Sequence, residues 1–186
     1  GIGMGVMING TFLTGHNGFA GEMGHIPVVT NGSLCRCGRR GCLETVASEW
    51  ALVDRVSKRL GRSIDFNELM TLALDGDKLV RAELNRVCKY LAMALAHVVN
   101  LFDPECVFVN GRLFDELPWL RDHLVNKARQ LALEPAFENC RFLPTSGTHL
   151  LGAIATGISA VTASRIHELQ DTLSGITFNV TRRSVS

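Results

Sequence analysis

The stretch from Gly21 to Glu44 carries the densest chemistry in the sequence. His25, Cys35, Cys37 and Cys42 lie within it, with Glu22 and Glu44 on either side. Three thiolates and one imidazole are the donor set of a closed, tetrahedral zinc site. Cys35 and Cys37 are separated by a single residue, so both sulfurs reach one ion only where the backbone turns sharply. Gly38 and Gly41 permit that turn before Cys42. His25 completes the set, and four protein donors leave no open position for water, so the ion is expected to be structural rather than catalytic. The competing reading is a glycine-rich surface loop with incidental cysteines and a hydrogen-bonded core histidine. Three cysteines crowded into a polar segment too short to form a core weigh against it.

The two carboxylates are less decided. A carboxylate accepts hydrogen bonds in two directions, so Glu22 and Glu44 could hold a pyranose by its hydroxyls. Surface charge at Glu22 and a favourable helix-dipole position at Glu44 explain the same residues equally well. Upstream, Gly1-x-Gly3-x-Gly5 could wrap a phosphate with backbone amides. Glycine-rich openings of hairpins are also common without a ligand.

These residues sit in a chain of 186 residues, enough for one large or two small domains with a real core. The formal net charge is +1 with both signs interspersed, which gives no electrostatic footprint for nucleic acid. No apolar run approaches the length of a membrane span, and residues 1–20 do not read as a signal peptide. Of the six cysteines, Cys88, Cys106 and Cys140 stand singly in apolar segments. A cluster plus scattered buried thiols suits a reducing cytoplasm better than a disulfide framework.

The elements that must position the cluster follow from periodicity. Gly3 to Ile8 ends in Asn9-Gly10, a hairpin signal, with Thr11 to Thr14 returning. Glycines recurring at Gly15, Gly18, Gly21 and Gly24 predict a folded loop, and His25 to Val29 a short strand. Val46, Trp50, Val53, Val56 and Leu60 predict one helix running from Glu44 to a stop at Gly61. A second helix is expected over Ser63 to Leu74, capped by Ser63 or Asp65. Asp77 opens the longest one, ending near Asn100, with Val80, Leu84, Val87, Leu91, Ala94 and Val98 as its apolar stripe and Leu95 and Leu101 beside it. Cys106 to Val109 reads as a strand buried on both faces and Pro118 to Leu133 as a helix through Leu120, Leu124, Ala128 and Leu131. Cys140 to Leu143 reads as a strand, Leu150 to Leu169 as a final helix, and residues 171–186 as a mobile tail. The order implies an α/β architecture with helices covering a sheet, and a ligand crevice at the carboxyl end of strand 106–109.

Taken together, the motifs resemble the ROK family of bacterial sugar kinases and sugar-responsive repressors. The likeness rests on Gly1-Ile2-Gly3-Met4-Gly5-Val6, Gly21-Glu22-Met23-Gly24-His25 and the run Cys35-Arg36-Cys37-Gly38-Arg39-Arg40-Gly41-Cys42-Leu43-Glu44. It continues through Asn100-Leu101-Phe102-Asp103-Pro104-Glu105 and Leu151-Gly152-Ala153-Ile154-Ala155. The resemblance implies the α/β fold of actin-like ATPases, also described as ribonuclease H-like, with residues 1–170 as the sugar-binding and zinc domain of a C-terminal half. The N-terminal half, with the family's first phosphate loop and catalytic aspartate, is expected upstream of Gly1, so no catalytic residue is assigned.

The resemblance further implies zinc on His25, Cys35, Cys37 and Cys42, and sugar hydroxyls on Glu22, His25 and Glu44. It implies a nucleotide approach at Gly1, Gly3 and Gly111. Two departures separate repressor from kinase. Kinases of the family tend to carry paired glycines where this chain has Asn110-Gly111-Arg112, and Ala-Ser-Gly where it has Ala47-Ser48-Glu49. The expectation is therefore the effector-binding half of a regulator, homodimeric, reaching DNA only through an upstream domain. The alternative is half of a hexose or amino-sugar kinase using ATP and Mg. A zinc-stapled interaction module with no small ligand is the third possibility.

Overall fold

The computed structural model describes residues 1–144, and all elements except the hairpin tip Asn9–Thr11 lie in one compact body. The final helix expected over Leu150–Leu169 and the tail 171–186 fall outside the described residues.

The chain opens with the expected hairpin, shortened to β1 (Met7–Ile8) and β2 (Thr11–Phe12). Asn9 and Gly10 both take positive φ, 52° and 76°, as a two-residue turn of this kind requires. The strand expected over His25 to Val29 does not form. Met23–His25 is a single 3-10 turn, and Pro27 makes only an isolated antiparallel bridge to Cys42. The proline removes a donor from the ladder at that point.

The helix expected from Glu44 to Leu60 is two helices, α1 (Leu43–Ala47) and α2 (Glu49–Leu60). Ser48 adopts an extended conformation between them. Its hydroxyl donates to the Glu44 carbonyl at 2.6 Å and accepts from the Ala51 amide at 3.3 Å, closing one helix and capping the next. The break also changes the buried face. Ala51, Leu52 and Val56 are buried, whereas Trp50 is 39% exposed.

Helix α3 (Phe66–Leu74) starts at Asp65, whose side chain accepts from the Glu68 amide, so Asp65 rather than Ser63 is the cap. Helix α4 (Lys78–Phe102) is capped by Asp77 and ends at Asp103 in the left-handed region. It is the spine of the body, packing against α1, α2, α3 and two later helices. Its buried stripe runs Val80, Leu84, Val87, Cys88, Ala92, Leu95 and Val99, while Leu101 is exposed. The drift from Val98 to Val99 follows from 3.6 residues per turn over so long a helix.

Strand β3 (Cys106–Val109) pairs in parallel with β4 (Arg141–Pro144), in register Cys106 to Arg141 and Val109 to Pro144. Three helices carry the crossover: α5 (Arg112–Glu116), α6 (Pro118–Arg129) and α7 (Glu134–Glu138). The short α5 and α7 have too few residues to show a period. β3 is not buried on both faces, since Phe108 is 57% exposed, and among the described residues only β4 flanks it. Leu131 lies past the end of α6 and is exposed for the same reason of position rather than type.

Candidate metal and ligand site

The cysteine segment folds as a knuckle. The Cys35 amide donates to the Arg39 carbonyl and the Gly38 amide to the Cys35 carbonyl, while Leu34 and Arg40 form an antiparallel bridge. Its base is tied to the body where Val28 and Val29 donate to the Gly41 carbonyl and Leu43 donates to that of Ile26. Only glycine fits at position 41. Its φ is +72°, and a Cβ there would stand 1.8 Å from the Val29 carbonyl oxygen.

This folding gathers the four predicted donors. One donor atom from each of His25, Cys35, Cys37 and Cys42 lies within 4.8 Å of the others. Cys35 Sγ stands 3.5 Å from His25 Nδ1, and Cys37 Sγ 3.7 Å from Cys42 Sγ. For sulfur at about 2.3 Å and imidazole nitrogen at about 2.0–2.1 Å from one ion, tetrahedral edges are about 3.8 Å and about 3.5 Å. The donors thus fit a thiophilic divalent ion. Cys35 and Cys42 are buried, and Cys37 faces solvent at the tip.

Electrostatics at the sulfurs differ accordingly. The hydrogen-bonded Arg39 backbone amide holds the Cys37 thiol below its ordinary value, with burial opposing. Burial pushes the Cys42 thiol up to about 12, and the Cys37 and Cys35 sulfurs add to the rise. A thiol placed there is a ligand only when a cation offsets that cost.

Glu22 and Glu44 converge on the same imidazole. Glu22 Oε2 lies 3.7 Å from His25 Nε2, and Glu44 Oε2 lies 3.7 Å from His25 Nδ1. Glu22 is open to solvent, whereas Glu44 in the first turn of α1 is only 14% exposed. His25 therefore turns Nδ1 to the sulfurs and Nε2 outward to Glu22. With Nδ1 on an ion, the proton resides on Nε2, a donor facing the solvent-side carboxylate.

The glycines expected at a nucleotide have the following surroundings. Gly1 lies beside the carboxylates, its nitrogen 3.9 Å from Glu44 Oε1. Gly3 stands in open space, and Gly111 precedes α5 with φ 149°, facing only Phe114. The two positions that depart from the glycine pattern meet each other. Arg112 Nη1 pairs with Glu49 Oε1 at 3.2 Å, Nη2 reaches Asn67 Oδ1 at 3.4 Å, and the guanidinium lies 4.1 Å over the Phe66 ring. Helical spacing predicts Trp50 in the core stripe. Its indole Nε1 instead points at Glu44 Oε1, 3.5 Å away. The local signal for this was Ser48-Glu49, a helix N-cap and first-turn acid inside the supposed single helix.

Comparison with known proteins agrees with the motif reading. The ROK family model matches residues 1–161. The xylose repressor of Bacillus subtilis is 31% identical over 163 residues, covering 87% of this chain and 41% of the repressor. A glucokinase of Thermotoga maritima is 38% identical over 125 residues, covering 60% of this chain and 39% of the kinase. The crystal structure of a ROK hexokinase from Thermus thermophilus superposes with a TM-score of 0.77 at 26% identity, over 88% of this chain and 54% of that one. The chain spans about two fifths of the length of the curated relatives it matches. Its α/β fold is that of the actin-like ATPases, and the chain belongs to the ROK family.

Proposed function

We propose that this chain is the sugar-binding, effector-sensing part of a ROK-family transcriptional regulator. Residues 1–170 form its sugar and zinc domain, His25, Cys35, Cys37 and Cys42 hold a structural zinc, and Glu22, His25 and Glu44 receive sugar hydroxyls. DNA contact belongs to a domain upstream, and the working unit is a cytoplasmic homodimer. The observation that carries this reading is the two-sided imidazole of His25, with sulfur at Nδ1 and a carboxylate at Nε2. The metal shapes the loop, and this chain's own groups do the recognising. Glu22 and Glu44 accept from sugar hydroxyls, while the Nε2 proton of His25 donates to one.

Regulator is favoured over kinase by the pairing of Glu49 with Arg112. The two side chains at the positions where kinases of the family tend to carry glycine bind one another, and Arg112 lies over Phe66, which supports a nucleotide approach closed by side chains. The kinase reading keeps one specific support, the higher identity to the Thermotoga glucokinase over the segment they share. Calorimetry on the full-length protein with monosaccharides and with MgATP separates the two. The regulator reading predicts sugar binding without ATP binding, and turnover of ATP with any hexose overturns it.

A further inference from the structure

Trp50 lies six residues after Glu44, a spacing that a continuous helix cannot bring together. Six residues carry the chain about 240° around the axis and about 9 Å along it, onto different faces. The contact exists because Ser48 breaks the helix, its hydroxyl bonded to the Glu44 carbonyl and its oxygen capping α2. The restart turns the indole back, so that Nε1 faces Glu44 Oε1 at 3.5 Å. The other carboxylate oxygen, Oε2, faces His25 Nδ1 at 3.7 Å. Oε1 of Glu44 is thereby directed by a donor, whereas an Nδ1 that holds an ion has no proton to give Oε2. On its ring face Trp50 meets Arg36, whose guanidinium carbon is 5.9 Å from the ring centroid, within the range of a cation–π contact. Arg36 sits between the two sulfur donors Cys35 and Cys37. The indole therefore bridges the cysteine knuckle and the Glu44 carboxylate, and Trp50 remains 39% exposed.

We propose that Trp50 is a positioning residue that orients Glu44 for ligand recognition and couples it, through Arg36, to the state of the metal knuckle. The proposal rests on the reading of Glu44 as a sugar-contacting group. A carboxylate that accepts one charge-assisted hydrogen bond on a defined oxygen presents the other with a fixed lone-pair direction, which is what distinguishing a hydroxyl's orientation requires. Removing the indole donor frees the Glu44 side chain to rotate, while the four metal donors and the core beneath α1 keep their contacts.

The test uses the zinc-loaded full-length protein labelled with 15N, with the Trp50 indole resonance identified by its loss in Trp50→Phe. Glu44→Gln and metal stripping are each expected to shift that resonance. An indole signal unmoved by Glu44→Gln overturns the contact, and one unmoved by zinc removal overturns the coupling. In parallel, Trp50→Phe is expected to keep one zinc per chain and the parent melting temperature while weakening binding of D-xylose or D-glucose about tenfold. Unchanged sugar affinity in that variant overturns the positioning role. If neither sugar binds the parent protein, the result counts against sugar recognition, and the indole resonance still decides the Trp50–Glu44 contact.

Discussion

The imidazole of His25 faces two ways. An imidazole has two nitrogens pointing in different directions, and here one faces buried sulfur while the other faces a solvent-side carboxylate. Replacing the exposed sulfur donor tests whether the two sides are linked. Cys37→Ala leaves three donors and is expected to lower bound zinc well below one per chain by elemental analysis. Sugar binding is expected to fall with it, measured by calorimetry on the same sample, and retained sugar affinity in the zinc-poor variant would contradict the link. The donor set was legible in the sequence because thiolate and imidazole have few other reasons to cluster among glycines. The role of Trp50 was not legible. An aromatic residue at helical spacing reads as core until the break at Ser48 is known, and that break depends on one hydroxyl serving two helices.

At the scale of elements, α1 and α2 hold the site while α4 holds both. Ser48→Ala removes the cap of α2 and the bond that closes α1. It is expected to cost about 1 kcal/mol in urea unfolding, with a parallel loss of the Trp50–Glu44 contact. Farther from the site, α2 is clamped to α4 by Glu83, which receives Arg55 Nε and Arg59 Nη1 at 2.9 Å each. Burial pushes the Glu83 carboxyl up, but the hydrogen bonds from Arg55 and Arg59 outweigh it and hold the carboxyl below its ordinary value. A lowered carboxyl stabilises the fold fully above its unfolded value and loses that contribution as pH falls through the folded one. Glu83→Gln is therefore expected to destabilise the protein by about 3 kcal/mol at neutral pH, with the difference from the parent shrinking as pH falls through the lowered titration of this carboxyl. A constant difference across that range would contradict the assignment. The long helices and both parallel strands were readable from their periods and caps. What escaped were α5, α7 and the 3-10 turn, each too short to display a period, and the exposed face of β3, which depends on what lies against it.

For the whole molecule, family and fold emerge from different features of the chain. The motif run around His25 and the cysteines marks the family, and the parallel pair β3 and β4 with its helical crossover marks the α/β class. The choice between regulator and kinase rests on the Glu49–Arg112 pair, a tertiary contact across 63 residues that neither residue discloses alone. If that pair fills a nucleotide gap, restoring glycine at both positions, Glu49→Gly with Arg112→Gly, is expected to raise affinity for MgATP above the parent's in equilibrium dialysis. No change on opening the gap would leave the pair without a part in excluding nucleotide and would weaken the regulator reading.

A metal-shaped loop that reads a sugar must lose its ligand when it loses its metal. This is tested most directly by titrating one full-length preparation with a panel of monosaccharides in three states: zinc-loaded, stripped with a chelator, and reloaded with one equivalent of zinc. Sugar binding is expected in the first state, its loss in the second with the fold intact by circular dichroism, and its return in the third. Sugar binding of undiminished affinity in the folded, zinc-free protein would contradict it.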